Sequence, residues 1–323
     1  MGMRMILRCR PFFLSMAAKV FAALGVLAGV SLIAFLLSMY SPGDPAYLIL
    51  AADGNVEPTP VEIQEMRVEL GLNRPLYRQY LFWAGKALKG DLGRSFATGE
   101  SVCHGMARRI PVTLTLTCGA LFVAALAGLG LGLLGVSGPN RARDRVSQLA
   151  GVALISVPDY WLAIILIGIF AETLRWLPTS GAGSFASFIL PSLVLAAFTG
   201  GSLFRLCRTL LLTEMGKVYI LTARSKGLPE IWILCRHALF NILVPLVTAL
   251  GMGFGHMLGG AVIVETIFSI PGLGQFAMTG IGNRDYPVIQ GYVLYTAFLF
   301  ILVNLILDLV YVVMNPQLNR KIK

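Results

Sequence analysis

Residues 217–245, Lys217 to Pro245, read KVYILTARSKGLPEIWILCRHALFNILVP, and this stretch decides the fold. It is a long basic, helix-forming segment lying between two strongly apolar ones. Positive charge in such a loop marks the cytoplasmic side of a membrane. Ala223 to Lys226 form the end of a first short helix. Gly227 suits the position just past its cap, where a left-handed backbone costs glycine least. Pro229 suits the first turn of the next helix, because the N–H it lacks would have no partner there. The spacing predicts that Ile231, Leu234, Cys235 and Ala238 share one apolar face of that helix. An amphipathic helix presented at a membrane surface is a candidate docking element for a soluble partner.

Composition agrees with a membrane setting. The chain has 323 residues, of which 56% are hydrophobic and 13% charged. A soluble domain carries about 25% charged residues. The net charge of +10 therefore calls for sorting by membrane side rather than for a nucleic-acid partner. The five cysteines, Cys9, Cys103, Cys118, Cys207 and Cys235, contain no C-x-x-C pair and so no zinc or redox signature. Of these, Cys103 is the one expected outside, which leaves no external intrachain disulfide. The chain shows no G-x-x-x-x-G-K-[ST] phosphate loop, so it is expected not to bind ATP itself. His104, His237 and His256 fall in three different regions, poor material for a metal cage.

Working outward, the pattern predicts an all-α integral membrane protein with six transmembrane helices and both termini cytoplasmic. Arg4, Arg8, Arg10 and Lys19 precede or open the first span, Val20 to Met39. That stretch is too long for a signal-peptide core of about 7–15 residues and reads as a retained anchor. Residues 1–40 thus form the tail and first span, and residues 41–110 an external helical insertion. Within the insertion, Thr59-Pro60-Val61-Glu62 has the form of a capping box with proline at N1, opening a helix that ends at Gly71. Pro75 can open another, with Leu76, Tyr80, Trp83 and Ala87 on one face and Gly90 near its end. Both are too short to stand alone and must pack on each other or on the spans.

Residues 111–314 read as the core, with five further spans and a cytoplasmic loop over 205–245. The spans are expected at Pro111–Val136, Leu149–Phe170 (kinked at Pro158), Phe188–Leu203, Ile242–Val264 and Val288–Met314. Residues 315–323, with Arg320, Lys321 and Lys323, form a cytoplasmic tail. Sixteen of the 26 Lys and Arg fall on segments read as inside, and the short external loops carry only Arg175 and Arg284. Asp159 beside Pro158 either faces the protein interior or partners backbone freed by the proline. Gly251, Gly255 and Gly259, each four apart, make a flat helix face for close packing, within the chain or between subunits. His256 is either hydrogen-bonded within the bundle or a pathway residue or metal ligand. Asp308 is expected to face protein near Asn304.

Several blocks, in this order along the chain, carry a family resemblance. They are Gly43-Asp44-Pro45-Ala46, Leu70-Gly71-Leu72-Asn73-Arg74-Pro75-Leu76, Gly90-Asp91-Leu92-Gly93-Arg94-Ser95, Thr222 to Gly227, His237 to Asn241 with Val244-Pro245, and Asn283 to Gln290. Together they resemble the permease subunits of ABC importers, in the peptide/nickel branch. Leu221-Thr222-Ala223 stands where the general signature has Glu-Ala-Ala, a departure this branch shares.

The resemblance implies that Thr222, Ala223, Arg224, Lys226, Gly227, Pro229, Ile231, Leu234, His237, Asn241 and Pro245 form a loop coupling the membrane helices to an ATPase. It makes His256, Glu265, Asn283, Arg284, Asp285 and Tyr286 candidates for the pathway or its external mouth. It implies a second homologous permease, two ABC ATPase subunits that use ATP and Mg, an external solute-binding protein, and a place in the lipid of the bacterial inner membrane. No cofactor bound by this chain and no catalytic or metal site is expected, and the reading is of a transport subunit rather than an enzyme. Val56-Glu57-Pro58-Thr59-Pro60 and Asn283 to Gln290 look most like nickel members, so the cargo is read as nickel or a nickel chelate. The alternative is a dipeptide or oligopeptide. A stand-alone secondary transporter would need Asp159 and Asp308 as coupling carboxylates.

Overall fold

The structure, a computed structural model, describes residues 2–40, 44–52, 57–136 and 141–314. Among these every regular element is a helix, apart from an isolated bridge between Arg94 and Ser101. The helices are α1 (Gly2–Tyr40), α2 (Pro45–Ala52), α3 (Pro60–Glu69), α4 (Leu76–Ala87), α5 (Val102–Val136), α6 (Arg141–Ser156) and α7 (Asp159–Leu166). They continue with α8 (Ile189–Met215), α9 (Val218–Ser225), α10 (Glu230–Ile233), α11 (Leu239–Ile267), α12 (Leu273–Gly282) and α13 (Tyr286–Met314). Five helices are long and apolar enough to cross a membrane, or six if the bent pair α6–α7 counts as one span. Asn315-Pro316 and the basic tail lie outside the described residues, as do Gly43 and Val56.

Two compact units divide the described residues: those up to Pro111 with Gly272–Leu302, and Val112–Pro271 with the described residues from Val303 to Met314. In the first unit the small helices pack as their lengths require. Tyr80 and Trp83 of α4 meet Phe35 of α1 at ring distances of 5.6 and 5.9 Å, and the Tyr80 and Ser31 hydroxyls lie 2.8 Å apart. Thr59 caps α3, accepting from the Glu62 N–H while the Glu62 carboxylate accepts from the Thr59 N–H at 2.7 Å. Val102, Met106, Leu273 and Val288 form the unit's apolar centre.

The second unit is organised on α8, whose most apolar stretch is 72% buried. Leu190, Val194 and Leu195 pack with Leu116, Ala120 and Ala124 of α5 and with Met257, Ala261 and Val264 of α11. Close approach needs glycine: a Cβ on Gly151 of α6 would overlap the ring of Phe204 on α8, and one on Gly251 of α11 would overlap Leu307 of α13.

Several expected boundaries move. Helix α5 begins at Val102 rather than Pro111, because proline is accommodated inside it. Pro158 does more than kink its span: α6 and α7 meet at 108°. Helix α8 runs on to Met215, past Arg205 and Arg208, where a loop was expected. Hydropathy reports the apolar part of a helix, whereas the backbone ladder continues into polar sequence. Arg208 there forms a bidentate pair with Asp144 of α6, both bonds 2.9 Å.

Candidate functional site

The segment from Lys217 to Pro245 folds as an elbow. Helix α9 closes with a left-handed cap: Gly227 has φ +76°. Its N–H donates to the Arg224 carbonyl at 2.9 Å, and the Leu228 N–H reaches back to the Ala223 carbonyl at 3.4 Å. This pair of bonds is the Schellman arrangement, which satisfies carbonyls the helix end leaves open. Arg224 donates through Nε and Nη2 to the two carboxylate oxygens of Glu230, tying the two arms across the turn. Pro229 is the N-cap of α10, one position earlier than expected, with extended backbone.

The expected apolar face of the second arm divides in two. Leu234–Ala238 form a π-helical turn, with the Leu239 N–H donating to the Leu234 carbonyl. A π turn holds an extra residue and rotates everything beyond it. Leu234 is 1% exposed and Ala238 fully buried; with Ile233 and Ile242 they join Ile220 and Ala223 of α9 on Cys207, Leu211 and Met215 of α8. Ile231 is 59% exposed and Trp232 42%, and Cys235 is exposed beside them. Leu234 is therefore an internal anchor, and the outward apolar residues are Ile231 and Trp232. His237 sets its ring edge against Trp232 at 5.1 Å. Thr222 and Lys226 are exposed, and Pro245 is half-buried inside α11.

A polar knot fixes the elbow to α8. The Glu214 carboxylate, 6% exposed, accepts from the Tyr219 hydroxyl at 2.8 Å, Asn241 Nδ2 at 3.2 Å and Lys217 Nζ at 2.6 Å. Asn241 also donates to the Tyr219 oxygen at 2.9 Å. Burial pushes the Tyr219 phenol up, and so does the carboxylate it donates to, which keeps the hydroxyl a donor. Sequence reasoning singled out Asn241 but not Glu214 or Tyr219, since nothing local marks a glutamate as a junction. Replacing Glu214 by Leu should cost about 1.5–3 kcal/mol, because three donors lose a charged acceptor. The expected result is a lower melting midpoint of the purified assembly and lost uptake, with partial recovery for Glu214→Gln. Unchanged uptake in Glu214→Leu would count against the knot.

The residues expected at an external mouth separate. Glu265 does not lie in a loop: it is fully buried near the end of α11, and Thr113 Oγ1 donates to it at 2.6 Å. A carboxylate without access to water needs such donors. Asp285 is 2% exposed in the first unit; it accepts from Ser95 Oγ and, at 3.4 Å, from the Ala97 N–H. Tyr286 is also buried, edge-on to Phe96 at 6.2 Å. These two pin the head of α13 to the loop before α5, joining the blocks Gly90 to Ser95 and Asn283 to Gln290. Asn283 and Arg284 alone of that run are exposed.

The glycine stripe also divides. Gly251 packs against Leu307 and Gly255 is half-buried, whereas Gly259 has nothing within 4 Å of where a Cβ would stand. His256 is exposed and stacks on Phe198 at 4.6 Å, rather than being hydrogen-bonded inside the bundle. Asn304 and Asp308 are both half-buried on α13. Among the described residues no group of three or more His, Cys, Asp or Glu could hold a metal ion.

Residues 121–320 match the family described as "Binding-protein-dependent transport system inner membrane component". Residues 12–117 match "Binding-prot-dependent transport system membrane comp, N-term". The chain is 38% identical to the "Glutathione transport system permease protein GsiC" of Escherichia coli O6:H1, over 90% of this chain and 94% of that protein. The proteins of the same name from Escherichia coli K12 and Shigella dysenteriae serotype 1 match to the same extent. A solved structure titled as an inward facing conformation of the MetNI methionine ABC transporter superposes with a TM-score of 0.56. It covers 65% of this chain and 96% of its own at 20% identity, a likeness of fold.

Proposed function

The chain belongs to the binding-protein-dependent transport system inner membrane components, and from that premise we propose that it forms half of the translocation pathway of an ATP-driven importer for small peptide-like solutes. It is an ABC importer permease subunit of the peptide/nickel type, a multi-pass protein of the inner membrane. A second homologous permease, two ATPase subunits and an external solute-binding protein complete the assembly. Six spans place both termini in the cytoplasm and residues 41–110 outside, with α6 and α7 together as one broken span. The relatives above carry glutathione in their names, which favours the peptide alternative over the nickel reading.

The observation that carries this function is the elbow at Gly227. It presents Ile231 and Trp232 outward while Leu234, Ala238 and Asn241 bind it to α8 and α11. A partner that moves the elbow moves the membrane helices with it. ATP-driven closure of the ATPases would act on these arms and switch the pathway's access. In vesicles holding the complete importer, ATP-dependent uptake of glutathione or a dipeptide is expected. Uptake of nickel without either peptide would overturn the cargo. A reporter active only in the cytoplasm should respond when fused after Lys217 and stay silent near Glu100; activity at Glu100 would overturn the topology.

A further inference from the structure

Pro158 breaks the chain between α6 and α7, and Asp159 is the first residue of α7 beyond the break. It is half-buried, and its Oδ2 would lie 3.9 Å from a Cβ placed on Gly260 of α11. One turn before Gly260 stands His256, within electrostatic reach of Asp159 and stacked on Phe198 of α8 with the ring planes 18° apart. His256 belongs to an exposed stripe of α11 at helical spacing, formed by Met252, His256, Gly259 and Ile263. The second unit therefore leaves an imidazole uncovered near the middle of a membrane-spanning helix.

Two independent facts restrict what covers this place. Ionisable side chains within spans turn toward the bundle interior or a water-filled cavity, because lipid cannot solvate their charge. Backbone broken at membrane depth is tolerated only where it is buried in protein or lines such a cavity. The break at Pro158 is brought toward His256 through Asp159, which neighbours Gly260, one turn beyond the imidazole on α11. We infer that His256, Asp159 and Phe198 form a contact point on the solute pathway, built for a small zwitterionic solute of peptide type. This rests on the permease function above.

The chemistry suits that solute class. The imidazole N–H donates to a carboxylate or an amide carbonyl, and the Asp159 carboxylate accepts from an ammonium or an amide N–H. The Phe198 ring, 38% exposed, offers an apolar surface against the imidazole. A bare divalent transition metal would find two ligands here, short of the three or four that hold such ions. A transient contact of this kind orders the solute without trapping it.

The test uses the importer reconstituted in vesicles with its second permease, ATPases and binding protein. His256→Cys should react with a membrane-impermeant methanethiosulfonate above the level of the parent chain, and S-methylglutathione, whose sulfur cannot consume the reagent, should slow that reaction when added with the binding protein. Phe122→Cys, at a position 65% exposed on α5, is the apolar reference and should not exceed the parent. His256→Ala should lower sub-saturating glutathione uptake roughly tenfold, the loss of one hydrogen bond to a charged group, with ATP hydrolysis evoked by the binding protein retained. Reaction of His256→Cys no faster than that of Phe122→Cys, in an importer whose parent chain transports glutathione, overturns the inference. Reaction that S-methylglutathione does not slow overturns the solute contact. A parent importer that transports no peptide overturns the peptide function instead, before any variant is compared.

Discussion

Ile231→Asp is expected to abolish co-purification with the ATPase subunits while leaving the chain inserted and folded. Ile231 is 59% exposed on α10 and outside the buried cluster, so the substitution removes little internal packing, and surface changes of that kind shift stability by about 0.5 kcal/mol or less. At a protein–protein contact the same carboxylate must give up its water. An unpaired charge there costs several kcal/mol, on the order of a hundredfold or more in affinity. Leu234→Asp is the informative contrast. Leu234 is 1% exposed, so its replacement should prevent folding rather than release a partner. Gly227→Val tests the elbow by another route. No atom lies within 4 Å of the added Cβ, so the effect is backbone strain at φ +76°, about 1–2 kcal/mol. That variant should keep its insertion and lose coupling between ATP hydrolysis and uptake. Normal co-purification and uptake in Ile231→Asp would show that the elbow does not dock.

Gly151→Leu is expected to yield no folded chain. Even the first added carbon would overlap the ring of Phe204, which is 2% exposed at the crossing of α6 and α8. Overpacking in a close-packed interior costs about 1–3 kcal/mol, and more where the neighbour cannot turn aside. Phe204 has little room, because α6 and α8 also lie close at Gly201, one turn earlier on α8, where an added Cβ would overlap the Gly151 carbonyl and Ile155. The check is the yield and melting midpoint of the detergent-solubilised chain. Gly259→Leu serves as the counterpart, since that position is open and should melt as the parent does. An unchanged midpoint for Gly151→Leu would mean that α6 and α8 do not cross as described.

Local chemistry was legible throughout. The capping box at Thr59 and Glu62, the turn at Gly227 and the amphipathic helix after Pro75 rest on bonds between residues a few positions apart, and their signals survive in the sequence unaided. The membrane character, most of the apolar helices and the family also followed from residue order alone. What only the tertiary structure decided was which side of each element is covered. The π turn at Leu234–Ala238 separated Ile231 from Leu234. Ser95 met Asp285 across 190 positions of chain, and Thr113 met Glu265 across 152. Gly251 found Leu307 while Gly259, with the same spacing and composition, found nothing. Periodicity tells which residues share a helix face. Burial depends on what the rest of the chain brings to that face, and no local pattern encodes it.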